Sequence, residues 1–342
     1  MRVVVTWLAC SLVLLSFADV TAAEPLPPLR VAVISDLNGA YGTAGHRASV
    51  SAAVSRIIEL RPDLVISTGD MIAGQLREPA AANQLGAMWG AFHEAVTNPL
   101  AAAGIPLAVT PGNHDASAYE RFSLERAYYA REWRDRKAGL DLIDAGDFPF
   151  NYAFAMQGVL FISLDVTTTG LLPKHDLGWL DSVLMRHAAR FRKTVVFSHV
   201  PVWPVAAGRE VESTRDMRLH RLLVSHGVDA YLSGHHHAFY PGAADGVAYI
   251  SQACLGSAPR ALAGSGSATA PRAFTLLAFD ADRILVDALR APDFRSGVNW
   301  STLPRQIDAG DFRLTRADLS DIAVAPLPQL PADRKRQGGA AR

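Results

Sequence analysis

The stretch VAVISDLNGAYG, residues 31–42, begins as an apolar run typical of a buried strand and changes abruptly to polar residues. The β-branched run ends at Ser35, and Asp36 follows it directly. Asn38-Gly39 is a strong turn dipeptide, so one interpretation is a strand that simply enters a tight turn. The other interpretation is that Asp36 stands at the end of a core strand because a ligand binds there. In that case Asn38 is either a second ligand or the position at which one has been lost.

The same succession of a short apolar run, a loop and an amphipathic segment recurs along the chain. Strands that alternate with helices predict an α/β fold whose sheets are buried. The closely spaced late strands suggest an added antiparallel or mixed part. The predicted strands lie at 31–35, 63–68, 106–110, 159–165, 194–198, 229–233, 247–251, 273–279 and 283–289, and the predicted helices lie near 50–58, 83–98, 119–133, 175–190 and 214–226.

The first 23 residues have the composition of a secretory signal. Arg2 is followed by a nearly unbroken apolar run over 3–18 and then by small residues. The run is short for a membrane span, so we expect cleavage after Ala22 or Ala23, with a retained anchor as the alternative. The mature chain would keep Cys254 as its one cysteine, and an exported protein without disulfides is typical of a bacterial periplasm. We therefore expect a periplasmic or secreted protein with no stable membrane insertion after cleavage.

The chain has 342 residues and a formal net charge of zero, which removes the electrostatic argument for a nucleic-acid partner. Its length is compatible with one large domain or two small ones. The regular pattern fades after about residue 291, and the proline-spaced, basic end of the chain is typical of a disordered tail. We assign 1–23 to a signal peptide, 24–290 to the main domain and 291–342 to a C-terminal extension with a partly disordered tail.

Five of the predicted strands end in a carboxylate, an amide or an imidazole. In open α/β sheets the carboxyl edge is where ligands bind. Any one of these residues could be a cap or a turn residue, but five together are hard to obtain from turn chemistry alone. Without a thiolate nearby, such ligands suit Mn, Fe or Zn in a hydrolytic site and exclude a cysteine-based zinc site. The residues are Asp36, Asp70, the run Asn113-His114-Asp115, His199, and the run His235-His236-His237.

These motifs resemble the pattern of the calcineurin-like metallophosphoesterases, which include the purple acid phosphatases. That pattern is Asp-x-His, Gly-Asp, Gly-Asn-His-(Asp/Glu), a lone His after a strand, and Gly-His-x-His. The resemblance implies a two-sheet β-sandwich flanked by helices, a four-layer αββα arrangement, with 24–290 as the catalytic domain. The matching segments of this chain occur in the same order, at 36–38, 69–70, 112–115, 199 and 234–237.

The resemblance also implies a role for each matching residue. Two divalent or trivalent metal ions would be bound, with Asp70 bridging both. His114 would lie beside the substrate phosphate and assist the leaving oxygen, while His236 would be a spacer that points away. Asp115, next in the chain, either orients nearby groups or caps the following helix. One ion would be completed by Asn113, His199 and His235, and the other by Asp36 and His237, with Asn38 as a further candidate.

Asn38 departs from the family pattern, in which most members have a histidine at this position. Purple acid phosphatases can compensate with a tyrosine three residues after the Gly-Asp carboxylate, but that position here is Ala73. Three arrangements remain open: Asn38 ligates through its amide oxygen, water fills the gap, or Tyr41 reaches in. We favour the first two together, with the second metal held loosely.

The expected activity is hydrolysis of a small-molecule phosphomonoester or phosphodiester by a metal-bound hydroxide, with His114 assisting the leaving group. Substrate specificity would come from loops, where Trp203 and Arg209 are candidates for substrate contact and equally for loop packing. The neutral charge and the lack of a basic stripe argue against a nuclease. The alternative is a non-catalytic or weakly active metal- or ligand-binding protein on the same fold, with a degraded first metal site around Asn38.

Overall fold

The computed structural model describes residues 28–328, apart from residues 267, 281 and 311. The predicted signal sequence and the chain after residue 328 lie outside these residues. The helices are α1 (Ala48–Leu60), α2 (Ala82–Phe92), α3 (Asn98–Ala102), α4 (Asn113–Ala116), α5 (Ser123–Trp133), α6 (Lys174–His187) and α7 (Met217–Ser225), and a π-helical segment at His93–Thr97 joins α2 to α3. The strands are β1 (Leu29–Ile34), β2 (Leu64–Ser67), β3 (Leu107–Val109), β4 (Asp141–Asp147), β5 (Asn151–Met156), β6 (Val159–Ser163), β7 (Lys193–Phe197), β8 (Ala230–Ser233), β9 (Tyr240–Ala244), β10 (Val247–Ser251), β11 (Ala273–Phe279), β12 (Ile284–Arg290), β13 (Ser296–Gly297), β14 (Gln306–Ala309), β15 (Phe312–Arg316) and β16 (Val324–Pro326).

The described strands form two mixed sheets. The first has the order β13-β12-β11-β1-β2-β3, with β16 also paired to β12. Its strands β1, β2 and β3 are parallel, and β11 runs antiparallel to β1. The second sheet has the order β14-β15-β9-β10-β8-β7-β6-β5-β4, with β6, β7, β8 and β10 parallel. The parallel strands β1, β2 and β3 therefore form one end of the first sheet, whereas the parallel strands of the second sheet lie in its middle, with antiparallel strands on either side.

Apolar side chains from both sheets fill the space between them. Phe161 on β6 meets Phe279 on β11 edge to face, with ring centroids 5.8 Å apart, and both side chains are fully buried. The outer face of the first sheet is covered by α1, α2 and α5, and that of the second by α6 and α7. The predicted four-layer αββα sandwich is confirmed. No helix within the described part of the chain combines the length and the apolar composition needed to cross a membrane.

The chain beyond residue 290 returns to both sheets, although the sequence pattern fades there. β14 and β15 extend the second sheet beside β9, and β16 pairs with β12 in the first. Trp300 and Leu314 are buried, at 5% and 1% exposure. These strands have only three to five residues, too few to show a period of two clearly. The same reason applies in part to β9, which the sequence pattern did not reveal, whereas β4 is largely exposed and has no apolar face to detect.

Two leucines test whether this late segment belongs to the same folding unit. Replacing Leu314 by Ala should lower the free energy of unfolding by about 2–5 kcal/mol, because it leaves a cavity in a buried cluster. Leu319→Ala is the matched control, since this side chain is 38% exposed, and it should change the free energy by about 0.5 kcal/mol at most. Urea unfolding followed by circular dichroism measures both. A separate early transition in Leu314→Ala, with the main transition unmoved, would contradict a single unit.

Candidate metal centre

The carboxyl ends of β1, β2, β3, β7 and β8 meet at one edge of the sandwich. Four of the predicted ligands there have left-handed backbone conformation, which non-glycine residues seldom adopt. They are Asp36, Asp70, His235 and His237, with φ between 51° and 66°. Hydrogen bonds hold the turns in place: the Asp36 amide donates to Gly69 O at 3.1 Å, and the His235 amide donates to the Asp36 carboxylate at 3.1–3.2 Å. The backbone turns sharply at each strand end and brings these side chains to a common point.

Asp115 fixes the two loops that carry Asp70 and Asn113. Its Oδ1 accepts from the amides of Met71 and Ile72 at 2.7 and 2.9 Å, and its Oδ2 accepts from the Gly112 amide at 2.9 Å. Burial, and then the charge of Asp70, raises the pKa of Asp115 to about 7. Of the two roles considered for Asp115 from the sequence, the structure shows that of orienting its neighbours, because Asp115 lies within α4 and does not cap the helix that follows.

Asp70 belongs to two groups of possible metal ligands. In one it lies with His199 and His235, and in the other with Asp36 and His237, and within each group the ligand atoms are within 4.8 Å of one another. Asp70 Oδ1 is 3.3 Å from His199 Nε2, and Asp36 Oδ1 is 3.1 Å from His237 Nε2. This is the arrangement that the sequence predicts for two ions bridged by one carboxylate.

The hydrogen bonds of the histidines leave ligand atoms facing one another. His199 Nδ1 donates to Thr68 O, and His237 Nδ1 donates to Ala258 O, both at 2.8 Å. In a neutral ring Nε2 then presents a lone pair, and that of His199 faces Asn113 Oδ1 at 2.9 Å as well as Asp70. Such a convergence needs a positive charge between these atoms, which either a metal ion or a proton on Nε2 of His199 supplies. Backbone carbonyls orient histidine ligands in this way in metal sites, so the residues present fit the predicted ions.

The pKa values of two histidines reflect their different surroundings. Burial, the largest single effect, would lower the pKa of His199, but Asp70, Asp36 and the Thr68 carbonyl together outweigh it and raise the pKa to about 9. For His235 burial dominates and lowers the pKa to about 4, so its ring is neutral and available as a ligand. Asp70 itself has a pKa well below its usual range in spite of burial, because His199 and His114 lie beside it.

Asn38 is nearly buried, and its side chain is held by Ser257. The Ser257 hydroxyl donates to Asn38 Oδ1, and the backbone N–H of Asn38 donates to Asp70 O at 3.0 Å. An amide oxygen has two lone pairs, so one remains for a metal ion. Tyr41, the third possibility considered from the sequence, is 67% exposed and packs on the ring of His114 at 4.9 Å between centroids.

His114 lies beside the Asp70 carboxylate without belonging to either ligand group. Its backbone amide donates to Asp70 Oδ1 at 2.9 Å, and its Nδ1 donates to Gly74 O at 2.8 Å. Nε2 is 3.8 Å from Asp70 Oδ2. The ring therefore presents one free nitrogen beside the ligand groups, as the predicted role beside a phosphate requires.

An open cavity of about 500 Å³ lies over these residues. A volume of this size accommodates a small organic molecule. Most of the predicted site residues line it, together with loop residues that no sequence motif marks. The lining includes Asn38, Asp70, Asn113, His114, His235 and His237, and further Tyr41, Arg47, Gln75, Thr167, Arg209, Glu212, Ser257 and Arg260.

A family model described as calcineurin-like phosphoesterase matches residues 29–239. The chain belongs to this family. The resemblance inferred from the motifs is confirmed, and the family together with the two ligand groups supports a metal-dependent phosphoesterase. Comparison with curated protein sequences gives no match. The roles of the single site residues stay predictions.

Solved structures, among them two of phosphatases, have a similar fold. A dimetal phosphatase from Danio rerio is 18% identical, with 77% of this chain and 96% of the other covered and a TM-score of 0.55. A purple acid phosphatase, PPD1, from yellow lupin seeds is 15% identical, with coverages of 77% and 51% and a TM-score of 0.57. A structure of PhoD is 12% identical, with coverages of 90% and 75% and a TM-score of 0.58. At these identities the likeness shows the fold alone.

Three residues near the centre of this phosphoesterase have structural roles. His236 is fully buried; its Nδ1 accepts from the Val205 amide at 3.1 Å and its Nε2 donates to Glu212 O at 2.9 Å. Trp203 stacks on Phe312 and does not line the cavity, so of its two proposed roles the structure shows packing. Cys254 is buried, and burial raises the pKa of its thiol to about 12, which makes it unreactive.

The metal content of variants distinguishes Asp70, which belongs to both ligand groups, from Asp36, which belongs to one. Asp70→Asn should lose both metal ions, because the carboxylate belongs to both ligand groups, whereas Asp36→Asn should lose only one. Elemental analysis of protein purified without chelators measures the ions per chain. Removal of the ions by a chelator should also lower the thermal midpoint of the unmodified protein. Full metal content in Asp70→Asn would contradict a bridging role.

Gly112 is required where two loops approach most closely. A Cβ there would lie 2.1 Å from Asp70 N and 2.2 Å from Asp70 Oδ1, so Gly112→Ala must displace Asp70 and should reduce metal content and activity. The matched control is Gly86→Ala on α2, where a Cβ meets nothing within 4 Å. That change should stabilise the helix by about 0.5–1 kcal/mol. Normal metal content in Gly112→Ala would show that the loops can separate freely.

Proposed function

We propose that this phosphoesterase hydrolyses small-molecule phosphomonoesters or phosphodiesters at a two-metal centre. One observation carries the proposal: Asp70 is shared by two ligand groups, and His114 lies against the same carboxylate. Asp36, Asp70, His199, His235 and His237, with Asn113 and Asn38, would hold the ions. When bound, the ions supply Lewis-acid activation of water and offset charge on the phosphoryl group.

His114 would protonate the leaving oxygen. Its Nδ1 is committed to donating to Gly74 O, so only Nε2 can exchange a proton with the substrate. A ring that also carries a proton on Nε2 is an imidazolium, and the Asp70 carboxylate lies 3.8 Å from that nitrogen. In the reaction the oxygen of water bonds to phosphorus, the ester P–O bond breaks, and the proton of Nε2 passes to the departing oxygen.

Export to a periplasm or to the outside of the cell is part of the same proposal. It is supported by the composition of residues 1–23, which resembles a secretory signal. The formal net charge of zero supports a small-molecule substrate over a nucleic acid.

A weakly active or non-catalytic metal-binding protein is the second candidate function. The hydrogen bond from the Ser257 hydroxyl to the Asn38 amide oxygen favours this second candidate. It weakens that oxygen as a metal ligand, at the position where most of the family has a histidine. Turnover by the metal-loaded protein decides between the two candidates.

The leaving group tests the role of His114. With Mn(II) added, the protein should hydrolyse both p-nitrophenyl phosphate and an alkyl phosphate. His114→Ala should lower kcat by about 10²–10⁴-fold for the alkyl phosphate and much less for p-nitrophenyl phosphate, whose leaving oxygen needs no proton. His226→Ala is the matched control, since His226 pairs with Asp181 on the surface. Equal losses on both substrates would contradict proton donation, and no turnover by the unmodified protein would favour the second candidate.

A further inference from the structure

The turn at Gly74-Gln75 contacts two neighbouring residues of the metal centre at once. Gly74 O accepts a hydrogen bond from His114 Nδ1 at 2.8 Å. Gln75 Oε1 accepts from Asn113 Nδ2 at 2.6 Å, and the same side chain lines the cavity. Gln75 also has left-handed backbone conformation, with φ of 59°. The predicted amide ligand and the predicted proton donor are therefore both held by one short segment of chain, which no sequence motif marks.

The contact with Gln75 decides which end of the Asn113 amide faces the metal ligands. The two ends of an amide group have nearly the same shape, but the oxygen offers lone pairs to a metal ion whereas the nitrogen only donates. Asn113 Oδ1 lies 2.9 Å from His199 Nε2, and Nδ2 lies against Gln75 Oε1. An acceptor at Gln75 thus favours the orientation in which the oxygen of Asn113 is available to an ion.

Glu125, in the first turn of α5, holds the same turn from the other side. Both of its carboxylate oxygens lie 3.1 Å from the backbone nitrogen of Gln75, which donates to them. Glu125 is fully buried, and burial raises its pKa to about 7, so a carboxyl group at this position costs free energy. A Cβ on Gly74 would lie 2.4 Å from His114 O and 3.1 Å from Glu125 Oε2. The turn is therefore closely enclosed between α5 and the residues that it orients.

We propose that Gln75 is a positioning residue that sets the orientation of the Asn113 amide as a metal ligand, and that Glu125 positions the turn that carries Gln75. This inference rests on the proposed function and adds two residues to its machinery. Both act through Asn113 or His114 and not on the reacting atoms. Groups that hydrogen-bond to a metal ligand typically change metal affinity by about 10- to 100-fold when they are removed.

Two substitutions at Gln75 separate its hydrogen bond from its volume. Gln75→Met removes the acceptor and keeps the approximate length of the side chain, whereas Gln75→Glu keeps an acceptor and has no donor. Titration of the metal-free protein with Co(II), followed by visible absorption, measures the affinity and the ligand set of each ion. Gln75→Met should weaken the binding of one Co(II) ion by about 10- to 100-fold and change its absorption band. Gln75→Glu should recover most of the affinity and the original band.

Gln306→Met is the matched control, because Gln306 is exposed on β14, donates to Asp308 and does not line the cavity. It should change neither the affinity for Co(II) nor the absorption band. Thermal midpoints show whether each variant is folded. Unchanged Co(II) binding in Gln75→Met, or equal losses in Gln75→Met and Gln75→Glu, would overturn the positioning role and leave the phosphoesterase proposal intact.

The dependence on the leaving group separates the role of Glu125 from that of Gln75. Gln75→Met leaves Gly74 O in place for His114, so the ratio of kcat for an alkyl phosphate to kcat for p-nitrophenyl phosphate should stay unchanged. Glu125→Leu releases the whole turn and should lower both this ratio and the affinity for Co(II). Glu125→Gln keeps one acceptor oxygen and should lower both less. A normal ratio in a folded Glu125 variant would overturn the role of Glu125.

The Co(II) titration does not depend on turnover, so the two proposals can fail separately. An unmodified protein that binds two Co(II) ions but hydrolyses neither ester would contradict the proposed function alone. The loss in Gln75→Met and its recovery in Gln75→Glu would then still support the positioning of Asn113.

Discussion

The arrangement of the whole site depends on the position of the Asp70 carboxylate, which belongs to both ligand groups. It lies in a left-handed turn, accepts from the His114 amide and approaches His199. Such a turn is costly for a non-glycine residue and persists only where its surroundings determine it. Here Asp115 supplies that support, because it takes up three backbone amides of the two adjoining loops. The buried hydrogen bonds that hold this turn are thus made by Asp115, the residue after His114.

The ligands could be predicted from the sequence, whereas the walls of the cavity could not. Asp36, Asp70 and His199 each follow an apolar run, and parallel strands bring their carboxyl ends to one edge without further information. Arg260 and Ser257 lie in a loop rich in Gly, Ser and Ala, with no periodicity to place it. Their positions depend on how that loop packs over the site, for example through the amides of Gly256 and Ser257 on Asp36 O.

Asn38 shows the limit of reasoning by motif alone. The sequence marks it as a departure from the pattern, and the structure adds that its amide oxygen is engaged by Ser257. Neither residue is unusual by itself, since a turn can hold either. Together they would give the second ion a weaker donor than a histidine nitrogen, because the amide oxygen already accepts a hydrogen bond. The two ions would therefore differ in affinity.

The hydrogen bond from His199 to Thr68 O joins the end of β7 to the end of β2, and so joins one sheet to the other. Each of the two ligand groups likewise combines residues that follow strands of both sheets. Metal binding would therefore stabilise the contact between the two sheets at this edge, and that contact would favour metal binding by the same free energy. The bound ions would then cross-link the two sheets, and the stability of the contact between the sheets would depend on the concentration of free metal.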